Sequence, residues 1–213
     1  MKNKPKAGIL SMHRIYNYGS FLQAYGLKEI LKELGWEVEF AEYHPREWLI
    51  KADGGTGIKR KLSKVSETLR YNASLKDKIK FIKYKKNYAA NNYPYLGIDD
   101  KMNYNPKVDV LVIGSDEVFN CVQNNTNVGF APELFGVGNR AGKLITYAAS
   151  CGNTTYDKLV KYKVKDKVAE WLKAFDDISV RDNNTGEVVK KLIGKEPVYY
   201  RDPGLAYDYL GRC

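Results

Sequence analysis

Short apolar runs alternate along the chain with stretches of helical period, and this alternation predicts most of the elements. Residues 7–12 read as a buried strand. Phe21, Leu22, Tyr25, Leu27, Ile30, Leu31 and Leu34 then recur at helical spacing, and Gly35 closes the run as a C-cap. Residues 37–43 form the next strand, with Val38 and Phe40 on one face. Strand, helix and strand within so short a span make a βαβ unit, with a parallel pair and a right-handed crossover. Residues 54–57 are a glycine-rich turn, and two helices are predicted over 58–71 and 75–88, the second facing inward through Ile79, Ile82 and Tyr88. Residues 91–106 read as loop. Residues 108–114 are a continuous apolar run of the kind found in central parallel strands. Residues 120–138 have no clear period. Further on, strands are predicted over 143–149, 178–180 and 197–200. One amphipathic helix is predicted over 156–175, with Leu159, Val164, Val168, Trp171 and Leu172 as core contacts, and another over 185–193, ended by Gly194. The fold class is α/β: a doubly wound, mostly parallel Rossmann-like sheet of about six strands with a helical insertion. Residues 1–213 form a single domain on this reading, with residues 51–92 as the insertion.

Composition narrows the classes. The chain has 213 residues and 44% hydrophobic content, enough for a real core. No apolar run approaches the roughly 20 residues of a membrane span. The charged N-terminus is followed by an apolar stretch only over residues 7–10, too short for a signal-peptide core. The expected location is cytoplasmic. Cys121, Cys151 and Cys213 form no CxxC pair and no metal-ligand cluster with His13 or His44, so they read as free thiols, and no metal site is expected. The net charge is +10, and residues 51–92 hold most of the excess, with twelve basic residues against three acidic ones. A basic helical segment of this kind suits an anionic membrane surface, such as the inner face of the cell membrane, or an acidic polymer, or is a solvated face. Its lysines are interleaved with Tyr71, Phe81, Tyr84 and Tyr88, but no nucleic-acid motif is present, which argues against nucleic acid as a partner.

Ligands of doubly wound sheets bind at the carboxyl ends of strands, and four polar stretches fall there: residues 11–20, 114–120, 149–153 and 181–182. In the first, His13 reads either as a satisfied structural residue or, together with Arg14, as an anion-facing pair. Asn17, Tyr18, Gly19 and Ser20 lead into a helix whose amides point toward the same edge. In the second, Gly114 lets the backbone pass close to a ligand, and Ser115 and Asp116 either cap a turn or meet a substrate. Asp116 is the candidate proton acceptor or hydroxyl partner, Phe119 a candidate stacking face, and Asn120 a further candidate contact. Arg181 at a strand end can grip a carboxylate or phosphate, or pair with Asp182 or Asp202. No phosphate-binding P-loop, dinucleotide fingerprint, serine-hydrolase elbow or zinc site is visible.

In this order, "NYGSFLQAYGL" after "HR", "DVLVIGSDEVFN", "ITYAASCG", "ISVRD" and "RDPGLAYD" resemble the polysaccharide pyruvyl transferase family over nearly the whole chain outside the basic insertion. The resemblance implies two Rossmann-like halves, similar to B-type glycosyltransferases, with the active site between them. It implies transfer of pyruvate from phosphoenolpyruvate, as donor substrate and with no cofactor, onto two hydroxyls of a sugar in a bacterial capsule or exopolysaccharide. It points to Arg181 as an anion ligand, and it places Asp116 and residues 17–20 on this half of the cleft, toward the sugar. Family members run considerably longer, and "DPG" falls near the end of their first half. The expectation is therefore an amino-terminal half, inactive until completed by the second. Two alternatives stay open: half of a B-type glycosyltransferase using a nucleotide-sugar, and a non-catalytic module that binds a polymer or a membrane surface.

Overall fold

The computed structural model describes residues 4–50, 74–122, 128–209 and 211. The helix expected over 58–71, the turn before it and Cys213 lie outside the described residues. The chain begins with β1 (Lys6–Leu10), α1 (Tyr18–Glu33) and β2 (Glu37–Ala41), the expected βαβ unit. It continues with α2 (Leu75–Leu96), β3 (Val110–Gly114), a 3₁₀ turn (Pro132–Phe135) and β4 (Lys143–Tyr147). Next come α3 (Tyr156–Lys161), α4 (Lys165–Lys173), β5 (Ser179–Val180), α5 (Asn183–Ile193), β6 (Val198–Tyr199) and α6 (Pro203–Ala206).

The main sheet has the order β2-β1-β3-β4 with every pair parallel: Ile9 stands beside Phe40 on one side and Val112 on the other. Alternate residues serve the two faces. Ala7, Ile9, Phe40, Val110 and Val112 pack under α1 and α2 with Ala24, Leu27 and Leu96. Leu10, Ala41, Leu111, Ile113 and Leu144 face the other layer, where Leu159, Val168, Leu172, Val188 and Val189 of α3 to α5 meet Phe119, Phe130 and Phe135. This is a Rossmann-like α/β domain wound on both faces. Among the described residues, no helix is long and apolar enough to cross a membrane.

Three expectations are corrected. Among the described residues the main sheet holds four strands, not about six; β5 and β6 form a separate parallel pair. Hydroxyl groups cause the interruption. Thr146 Oγ1 donates to the Ser179 carbonyl and accepts from Ser179 N, both at 2.7 Å, while Ser179 Oγ donates to the Thr146 carbonyl at 2.8 Å. Side chains thus occupy the ladder positions, and isolated parallel bridges (Ile145 with Asp177, Ala149 with Val180) carry the sheet direction onward. The helix expected over 156–175 is broken where Lys163 takes a left-handed φ of 56°. Finally, α2 runs on through residues expected to be loop, to a left-handed Gly97, and it turns its isoleucines outward: Ile79 is 55% and Ile82 66% exposed, whereas Tyr88 is buried.

Gly26 explains how the segment after β6 packs on α1. A Cβ on this buried glycine would stand 2.6 Å from the Pro203 carbonyl oxygen and 2.8 Å from Tyr209 Oη. Its absence lets α6 lie directly on α1.

Candidate functional site

The chain goes from β1 to β2 on one side of the sheet and returns to place β3 on the other side of β1. The strand order reverses between β1 and β3, which opens a crevice at their carboxyl ends. Two of the predicted stretches meet there. Asn17 caps α1, its side chain accepting from Gly19 N at 2.7 Å, so Tyr18, Gly19 and Ser20 form the first turn. Ser20 Oγ donates to Asp116 Oδ2 at 2.8 Å. Ser115 Oγ donates to Gln23 Oε1 at 2.9 Å, one turn further along α1. Both bonds tie the first turns of α1 to the loop after β3.

That loop is sharply bent. Gly114 has φ 133° and is joined to Ser115 by a cis peptide bond, and a Cβ there would collide with the Tyr147 carbonyl. Asp116 is left-handed at φ 62°, a conformation Asp tolerates better than most residues, and its Oδ1 accepts from Glu117 N at 2.9 Å.

Arg181 reaches the crevice from the end of β5. Its Nη1 donates to Asp202 Oδ2 at 3.0 Å, and its Nη2 stands 3.8 Å from Asp116 Oδ1, too far for a hydrogen bond. Asp202 also caps α6 through Gly204 N at 2.8 Å. Of the two partners considered for Arg181, Asp202 is the one engaged; Asp182 caps α5 instead, through Thr185 N. The guanidinium has five donors, and its side chain is 24% exposed. It therefore sits between two carboxylates with donors left for an anion. Tyr147 and Tyr200 stack with their centroids 5.6 Å apart, and burial with Tyr200 and Asp202 nearby raises the Tyr147 phenol above its ordinary value.

Other candidates point elsewhere. His13 does not face the crevice. It is 1% exposed, with Nδ1 3.1 Å from the Ser11 carbonyl and Nε2 3.2 Å from Glu42 Oε1. Arg14 Nε donates to the same oxygen at 2.7 Å, and the guanidinium lies over the Tyr93 ring at 5.3 Å. Burial alone would raise the Glu42 carboxyl, but hydrogen bonds and charge from His13 and Arg14 outweigh it and hold the group below its ordinary value. Phe119 offers no stacking face; it is buried against Phe135 and Phe175. Asn120 is turned inward, bonding Glu117, Val122 N and Thr154. Asn17 does double duty: its carbonyl accepts from Tyr88 Oη at 2.7 Å, which binds α2 to the turn. Tyr18 is exposed, with its ring against Tyr84 and Tyr88.

Sequence reasoning missed Gln23, Glu42 and the Tyr147–Tyr200 stack. Glu42 does not stand out, because β2 already alternates Glu37 and Glu39 with apolar residues. Gln23 carries no signal of its own. A separate cavity of about 360 Å³ lies behind β1 and β2, lined by Glu42, His44, Arg46, Tyr104, Glu133 and Arg140 among others; Asp116 and Arg181 do not reach it.

Residues 17–211 match the family model described as polysaccharide pyruvyl transferase. No curated protein and no solved structure matches the chain.

Proposed function

The chain belongs to the polysaccharide pyruvyl transferase family, and from that premise we propose that it supplies the acceptor-side half of an enzyme that moves pyruvate from phosphoenolpyruvate to a sugar of a bacterial polysaccharide. The observation that carries the reading is the set Ser20–Asp116–Arg181–Asp202 at the reversal of strand order. Arg181 takes the donor's carboxylate or phosphate, exchanging its contact with Asp202 for the ligand. Asp116, fixed by Ser20 and the Glu117 amide, accepts a proton from an attacking sugar hydroxyl. The Tyr147–Tyr200 stack offers a flat apolar face to the sugar ring.

The reaction balances without a cofactor. An acid protonates the methylene carbon of phosphoenolpyruvate, making the neighbouring carbon electrophilic. One sugar hydroxyl oxygen bonds to that carbon as its proton leaves to a base. The bond to phosphate then breaks, and the second hydroxyl closes the cyclic ketal. The two hydroxyl protons return the acid to its starting state and end on the released phosphate. Cationic groups stabilise the anionic donor throughout. Residues 1–213 are one Rossmann-like domain in this scheme, the insertion over 51–92 enters between β2 and β3, and the opposing wall of the cleft belongs to the second half of the family fold.

The test is phosphate release from phosphoenolpyruvate in the presence of oligosaccharide or sugar-lipid acceptors, using this unit joined to a second half from the family. Phosphoenolpyruvate-dependent ketal formation that is lost in Arg181→Ala and Asp116→Asn is expected. Transfer from a nucleotide-sugar, with no phosphate released from phosphoenolpyruvate, would overturn the reading in favour of a glycosyltransferase half.

A further inference from the structure

The outward side of α2 has no role in the reaction above. Ile79 and Ile82 lie three residues apart, on one side of the helix, and are 55% and 66% exposed. Tyr88 stands about two and a half turns beyond Ile79 and so faces the opposite way. It is 2% exposed, bonds the Asn17 carbonyl, and with Tyr84 packs on Tyr18. The tyrosine side holds α2 to the domain, and the isoleucine side points away from it.

Charge follows the same division. Lys76, Lys83 and Lys86 are exposed and fall within roughly a quarter-turn of the isoleucine stripe; Lys80, also exposed, lies further round. Asp77, the one acidic residue of the helix, lies nearly opposite that stripe and accepts from Ser74 Oγ at 2.8 Å.

We propose that this face of α2 docks onto an anionic lipid bilayer, with Ile79 and Ile82 entering the headgroup–acyl boundary and the lysines meeting lipid phosphates. The isoleucines discriminate between partners. A nucleic acid or an acidic polysaccharide needs the cations but gains nothing from branched apolar side chains set among them. A bilayer uses both. Because the other side of α2 grips the turn that opens α1, docking holds the switch-point crevice close to the membrane surface. The inference stands on α2 alone and does not depend on the transfer reaction.

The chain should sediment with vesicles of phosphatidylcholine mixed with phosphatidylglycerol and not with vesicles of phosphatidylcholine alone. Replacing Lys76, Lys83 and Lys86 together by Gln should weaken that binding roughly a hundredfold, about fivefold per lysine. Ile79→Ser with Ile82→Ser should weaken it about tenfold or more. All five side chains are exposed, and circular dichroism and thermal unfolding of each variant separate lost binding from lost folding. No binding to the mixed vesicles would overturn the proposal. So would an isoleucine variant that binds them as the parent does, especially if a DNA oligonucleotide or heparin competes, since that is the behaviour of a polyanion site. A parent dimer that the isoleucine variant converts to monomer would assign the face to a second copy instead.

Discussion

Glu42 should be the costliest single carboxylate to remove from this domain. Its side chain is 6% exposed, and one of its oxygens receives His13, itself 1% exposed, and Arg14, 20% exposed. Glu42→Ala leaves a buried imidazole and a largely buried guanidinium without their acceptor. Breaking such a pair costs about 3–5 kcal/mol. Arg14 retains some water, which favours the lower end of that range. For a chain of this length each kcal/mol shifts Tm by roughly 2–4 °C, so a drop of about 6–12 °C is expected at neutral pH. Glu42→Gln keeps an acceptor oxygen but loses the charge, which weakens each bond by about 1 kcal/mol and should cost roughly 2 kcal/mol in total. Urea unfolding of the parent and the Gln variant across pH supplies the second reading. The folded-state pKa of Glu42 lies below its ordinary value. Its contribution is therefore present above the unfolded pKa of about 4.3 and is lost as pH falls through the lower folded value. The stability gap between parent and variant should be full at pH 7, begin to shrink below about pH 4.3, and close on further acidification. A gap that stays constant into strong acid, or a Gln variant as stable as the parent at pH 7, would refute the assignment of the stability to charge.

Three further outcomes follow from the geometry. Asp202→Asn keeps the oxygen that caps α6 but removes a charge competing for Arg181; inorganic phosphate should then raise Tm more than in the parent, while Arg181→Ala should abolish the effect, and equal protection of all three would place phosphate elsewhere. Gly26→Ala should destabilise by about 1–3 kcal/mol in urea unfolding, because its Cβ needs space now held by the Pro203 carbonyl and Tyr209 Oη; an unchanged midpoint would show that α6 is not seated on α1. Burial pushes the Cys121 thiol up to about 12 and the Cys151 thiol higher still, so a Cys213→Ser variant should give no Ellman reaction at pH 8 until it is unfolded; a prompt reaction of the native protein would contradict that burial.

The parts of the fold legible in the sequence were those whose signal is local. The period of α1 and the unbroken apolar run of β3 each describe one element and its surroundings, and they carried the βαβ unit, the winding and the polar edge. What escaped depended on partners far along the chain. His13 looks like a loop residue with chemistry to spare, yet its acceptor stands 29 positions away at the end of β2. Phe119 lies in a polar stretch and is drawn inward by Phe135 and Phe175. The gap between β4 and β5 comes from Thr146 meeting Ser179, two hydroxyl residues that fit ordinary strand patterns when read singly. On α2, hydrophobicity alone favours turning the isoleucines in. The rings of Tyr16 and Tyr18 and the Asn17 carbonyl supply better partners for Tyr88, and the helix rotates accordingly.

The same long-range contacts explain how the site is held. The chain from the end of β1 into the first turn of α1 is fixed at three places: His13 and Arg14 by Glu42 after β2, Asn17 by Tyr88 of α2, and Ser20 by Asp116 after β3. His13 thus supports a candidate site without facing it, and α2 braces the turn through Tyr88. Arg181 completes the logic from the far side of the crevice. Its charge is balanced by carboxylates from two separate loops, at 3.0 Å and 3.8 Å. Only the shorter contact is a hydrogen bond, so the guanidinium is oriented but not saturated. On the proposed reading, an anion that takes the place of Asp202 finds the guanidinium already oriented by Asp116 and needs to displace only one hydrogen bond. Such preorganisation favours binding because little reorganisation remains to be done when the ligand arrives.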